Sequence, residues 1–196
     1  VPAANDPEGG FIGGIFRDRG EGRDLTGYNA LTFWAKGSTT ATIGEVGFGT
    51  AFGIDFGNGV VEDKYAVGLQ NIQLSTDWRK YTIPIPDPSR LVQEKGMFLF
   101  SAGSASTGGM GYTFWIDELK FEYLGTIGQV RPFINGGLDT SGAAFVGQNL
   151  SITGVGVTSN LGNGQDVSVT ASPNYFTFSS SNSNVAIADG SQVSLV

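Results

Sequence analysis

Apolar and polar residues alternate along much of this chain with the period of two that marks β-strands. Runs at 14–17, 30–36, 42–48, 65–73, 79–84, 97–101 and 112–123 carry the pattern, and glycine-rich clusters such as 57–59 and 103–109 separate them. Helical periodicity is nearly absent; the candidate at 88–95 opens on proline, is short and reads best as a single turn. Seven or more short strands with turns between them predict an all-β fold, a jelly roll or a sandwich. The glycines of "GFIGGIFRDRG" (10–20) are followed by no helix, which makes them a poor phosphate cradle.

The last of these runs, "YTFWIDELKFEY" (112–123), holds an anomaly. Uninterrupted alternation puts Trp115, Asp117, Leu119, Phe121 and Tyr123 on one face, apolar from residue 119 onward. Asp117 is then expected on the core side, where an unpaired carboxylate is costly. Two readings of the residues stand open: a bound cation neutralises it, or backbone N–H groups and a bulge satisfy it or turn it outward.

Composition narrows the function. The 196 residues carry a net charge of −7, which argues against nucleic acid or an anionic membrane as partner. There is no cysteine and no histidine, so disulfides, zinc–thiolate sites, thiol catalysis and the usual general base are excluded. No apolar run approaches the roughly 20 residues of a membrane-spanning helix. Acid pairs for glycosidic cleavage could come from Glu45, Asp55, Glu62 and Asp63, but their spacing does not favour two carboxylates facing across a cleft. The chain is expected not to be an enzyme.

A composition break falls near residue 126. Beyond it Arg131, Asp139, Asp166 and Asp189 are the only charges, and Ser, Asn, Gly, Thr and Val dominate. Residues 1–126 are therefore expected to form one β-domain and 127–196 a second, smaller one. The Pro/Asn/Asp-rich start and the strand-like "VSLV" at the end give the expectation of a piece of a longer protein.

Three segments in order, "DLTGYNALTFWAKGS" (24–38), "STDWRKYTIPIP" (75–86) and "FWIDELKFE" (114–122), resemble the jelly-roll carbohydrate-binding modules of bacterial polysaccharide-degrading enzymes and surface glycan-binding proteins. "FTFSSSNSNVAIADGSQVSLV" (176–196) resembles the bacterial Ig-like group 2 pattern, with its final strand incomplete. These resemblances imply a galactose-binding-like jelly roll followed by a truncated Ig-like spacer. They imply a secreted or cell-surface protein that binds a polysaccharide without cleaving it, attached to an enzyme or an uptake system. In related jelly rolls the acid of the closing Ile-Asp helps hold a structural calcium. That implies a calcium ligand at Asp117, with Asp6, Glu8, Asp18, Glu21 or Asp24 as further candidates. The alternative is a stalk, adhesin or accessory subunit that contacts other domains or subunits of a surface complex.

Aromatic faces bind the apolar faces of sugar rings. Phe48, Phe52 and Phe56, spaced by four within "GEVGFGTAFGIDFGNG" (44–59), share one strand face and are candidate contacts. Tyr65, aided by Gln70, Asn71 and Gln73, and Tyr112 with Phe114 on the face opposite the expected core, complete the set. The tryptophans lie in the resembling segments and are expected in the core. Trp34, opposite Leu31, Phe33 and Ala35, is the one placed to reach solvent and joins the contact candidates.

Overall fold

The computed structural model describes residues 1–50 and 64–196. Phe52 and Phe56, with Asp55, Glu62 and Asp63, lie outside the described residues. The fold is all-β, built of antiparallel sheets. Seven strands arise from the first part: β1 (Phe11–Arg17), β2 (Ala30–Gly37), β3 (Ala41–Phe48), β4 (Val67–Leu74), β5 (Arg79–Pro84), β6 (Gly96–Gly103) and β7 (Phe114–Glu122). Six follow: β8 (Gly128–Phe133), β9 (Asn149–Ser151), β10 (Gly156–Asn160), β11 (Asp166–Ala171), β12 (Ala186–Asp189) and β13 (Gln192–Leu195). The expected turn after Pro88 is a single 3₁₀ turn, Pro88–Arg90, capped by the Asp87 side chain accepting from the Ser89 N–H.

Alternation decides which side chains meet. In β2, Leu31, Phe33 and Ala35 point one way and are fully buried. They belong to the three-stranded sheet β5-β2-β7, which packs against the large sheet β1-β6-β3-β4-β11-β10-β8. Ile43, Val46 and Phe48 of β3 and Phe98 and Ala102 of β6 fill the other side of that core. Phe33 meets Phe98 edge-on at 6.2 Å, and Phe48 meets Phe121 of β7 edge-on at 5.3 Å.

Backbone pairing runs across the composition break near residue 126. β11 pairs with β4, Thr170 opposite Gly68 and Ala171 opposite Val67, so β8, β10 and β11 extend the large sheet. Val157, Val169, Ala171 and Tyr175 join the same apolar cluster as the first part. The remaining strands form a separate sheet, β12-β13-β9.

The anomaly in β7 resolves as a bulge. Thr32 of β2 faces Lys120 while Trp34 faces Asp117, so Glu118 and Leu119 together oppose Phe33. Glu118 takes a left-handed conformation, φ 50°. Alternation therefore switches face at this point: Phe114 and Ile116 pack inward before it and Phe121 after it. Asp117, expected on the core side, is exposed, and its carboxylate accepts the Glu118 N–H at 2.7 Å. The premise of a buried carboxylate is corrected by one extra residue.

At the far end of β7, Glu122 accepts from the Lys80 ammonium at 2.7 Å and the Thr32 hydroxyl at 2.6 Å, with Lys120 at 3.1 Å. The Lys80 bond first, then that of Thr32, holds its carboxyl down at about 2, below the ordinary 4.5. A depressed carboxylate stabilises the fold above its unfolded value, and that contribution is lost as pH falls through the folded one. The window here runs from about pH 4.5 down to about 2. Solvent screening at this exposed cluster keeps the contribution under about 1 kcal/mol. Thermal melts across that window are expected to show a shallower acid decline for Glu122→Gln than for the parent; identical slopes would remove Glu122 from the account.

Candidate functional site, a glycine-floored groove

The outer face of the large sheet carries a groove that its cross-strand register builds row by row. One row runs Ile15 (β1), Leu99 (β6), Gly47 (β3), Gly68 (β4) and Thr170 (β11), each directly opposite the next. The neighbouring row runs Gly13, Ser101, Glu45 and Gln70. Phe11 stands opposite Gly103 at the edge. Two depressions lie along these rows, of about 500 Å³ beside β1 and about 240 Å³ towards β11, and both are lined by Glu45, Thr50 and Leu99.

Glycine makes the surface concave. Strand-interior glycine leaves room for a ligand to approach the backbone. At Gly47 no side chain fits, because a Cβ would stand 2.4 Å from the Val67 carbonyl oxygen. At Gly68 a Cβ would stand 3.1 Å from a Glu45 carboxylate oxygen, so that carboxylate reaches over the β4 backbone. Phe11 is 63% exposed. Cβ positions built on Gly13 and Gly103 would lie 3.6 and 3.9 Å from its ring, which places the ring alongside two bare stretches of backbone with its other side open to the groove.

Chemically this is an aromatic platform, two apolar side chains (Ile15 and Leu99), a half-buried carboxylate and the Arg17 guanidinium, with Ser101 and Thr50 as neutral hydrogen-bonding groups. Such a surface matches a sugar, which offers an apolar ring face and hydroxyl donors around its edge. Among the described lining residues Glu45 is the only carboxylate, so no opposed pair for glycosidic cleavage forms among them.

Four of the predicted contact residues, Trp34, Phe48, Tyr65 and Tyr112, lie among the described residues. Phe48 is fully buried, with its ring edge-on to Phe121 in the core beneath the smaller depression. Tyr112 is 5% exposed and its hydroxyl donates to the Thr42 carbonyl at 2.8 Å, a core position. Tyr65 is half-buried with its ring 5.2 Å from Tyr175. Trp34 is half-buried on the outer face of the small sheet, across the sandwich from the groove. Trp78 and Trp115, expected in the core, are exposed; their rings flank the Lys36 ammonium at 5.0 and 5.1 Å.

Asp117 is the residue for which the resemblance implies calcium. The cation takes six to eight oxygens, and among the described residues no three carboxylates converge. Asp6, Asp18 and Asp24 each accept N–H or O–H donors of their own loops. Calcium enters no step below.

Sequence reading passed over Phe11, Ile15 and Leu99. The available signal was "FIGGIFR" itself, in which Phe11, Gly13 and Ile15 share one strand face while Ile12 and Gly14 share the other. Residues 2–123 match the family described as carbohydrate binding domain 30. No curated protein and no solved structure matches the chain. The matched stretch takes in more than half of the sequence and every strand from β1 to β7. On that ground the chain belongs to the carbohydrate binding domain 30 family.

Proposed function

We propose that the chain binds a polysaccharide in the groove on the large sheet, without cleaving it. On this reading it serves a secreted or cell-surface bacterial protein by holding an attached enzyme or uptake system at its glycan. The observation that carries the reading is Phe11, a largely exposed ring against bare backbone at the edge of a concave sheet. A sugar ring covering it gains dispersion and removes apolar surface from water, while Glu45 accepts hydroxyl donors. Because the floor is backbone, little side-chain freedom is lost on binding. Affinity at one such site is modest, and linkage to neighbouring modules raises it through effective concentration.

Affinity electrophoresis of the chain in gels containing soluble β-glucans, α-glucans, xylans or mannans tests the reading. Retardation by at least one polysaccharide is expected. Unaltered migration in all of them, by protein with a normal melting transition, contradicts it and favours a stalk or accessory subunit.

A further inference from the structure

The row that floors the groove does not end within the family match. It ends on Thr170, beyond residue 123, and the smaller depression is lined by Thr170, Ala171 and Ser172 together with Glu45, Gly68 and Leu99. The same segment is fastened to the first part by hydrogen bonds at four successive points. The Thr170 hydroxyl donates to the Gly68 carbonyl at 3.2 Å, and the Ser172 N–H to the Ala66 carbonyl at 2.8 Å. The Asn174 amide donates to the Lys64 carbonyl at 2.9 Å, and the Tyr175 hydroxyl to the Tyr65 carbonyl at 2.9 Å. Tyr175 is buried in the shared core, and burial pushes its hydroxyl far up the pH scale, so it stays a neutral donor.

We infer that the second part of the chain is a wall of the glycan groove: Thr170 and Ser172 form an end subsite that a long oligosaccharide reaches and a short one does not. The inference rests on the polysaccharide-binding reading above. Two glycines in register, Gly47 and Gly68, put no side chain of their own between Leu99 and Thr170, and the Glu45 carboxylate, which reaches over Gly68, stands in the trough as a hydrogen-bonding group short of the Thr170 side chain. Four strand-to-strand steps separate β1 from β11, about 19 Å at ~4.8 Å each. A ligand anchored on Phe11 must therefore extend through several sugar units before it touches Thr170. At that end the exposed threonine keeps free acceptor capacity on its hydroxyl oxygen, and Ser172 adds a second hydroxyl. The specificity that follows is for chain length, set by residues outside the family match.

Titration calorimetry of the full chain with β-1,4-linked gluco-, xylo- and manno-oligosaccharide ladders of two to eight units tests this. Thr170→Arg fills the open end of the trough from an exposed position. It is expected to weaken binding of the longest oligosaccharides by about fivefold to tenfold, the worth of one or two hydrogen bonds, and to leave the shortest bound ones unchanged. Equal affinity for parent and variant at every length overturns the inference, as does a loss uniform across lengths. Should Thr170→Arg lower the melting temperature, the near-isosteric Thr170→Val carries the same comparison with a smaller expected loss. Phe11→Ala, run beside them, separates the two claims. If it binds every length as the parent does, the groove reading itself fails; if it is impaired while Thr170 variants are not, only the wall fails.

Discussion

Phe11→Ala is expected to weaken polysaccharide binding about thirtyfold, the effect of removing an aromatic anchor worth ~2 kcal/mol. The melting temperature is expected to stay within about 2 °C of the parent, since substitutions at exposed positions move stability by about 0.5 kcal/mol. The two halves of this expectation have one structural origin. A ring 63% exposed at the edge of its sheet contributes little to the core, and what it offers is surface. Calorimetric titration with the retarding polysaccharide, together with a thermal melt, checks both. A large fall in melting temperature would show that Phe11 holds the sheet rather than the ligand.

Phe48→Ala gives the opposite pattern. Phe48 is fully buried, edge-on to Phe121 across the two sheets. Truncating a buried phenylalanine costs about 3–5 kcal/mol through lost transfer energy and the cavity left behind. For a chain of this size each kcal/mol moves the transition by about 2–4 °C, so a fall of about 10 °C is expected. Scanning calorimetry reads this directly. An unchanged transition with lost polysaccharide binding would restore Phe48 to the role its spacing suggested.

Set beside each other, these residues show where the sequence was legible. Alternation located each of the seven strands among the described residues of the first part, because the period of two is imposed wherever one strand face packs on a core. The same alternation misplaced Asp117, since a bulge inserts one residue without any mark in the local pattern. The spacing of Phe48, Phe52 and Phe56 gives the expectation of a shared face, of which only Phe48 lies among the described residues. It carries no information on whether that face is core or solvent, and for Phe48 it is core. Phe11 was hidden by its neighbours. The strand-like run was read from Gly14 onward and left Phe11 and Gly13 outside it, yet the glycine at 13 is what bares the backbone beside the ring.

Tryptophan content also misled. Segments that identify a fold need not be buried throughout: Trp78 and Trp115 occupy such segments and stand exposed around Lys36. The link from Thr170 to Gly68 was beyond local reading altogether. It joins residues 102 apart across a change in composition that looks like a domain boundary. Register between distant strands is a property of the folded sheet, not of either segment alone.

One comparison bears most directly on where the chain binds, because aromatic side chains are exposed on both faces of the sandwich. Affinity electrophoresis of the parent, Phe11→Ala and Trp115→Ala in parallel, on whichever polysaccharide retards the parent, sets the two faces against each other. The groove account predicts that Phe11→Ala migrates as if no polysaccharide were present while Trp115→Ala remains retarded. Retardation kept by Phe11→Ala and lost by Trp115→Ala would contradict it and move the site to the outer face of the β5-β2-β7 sheet.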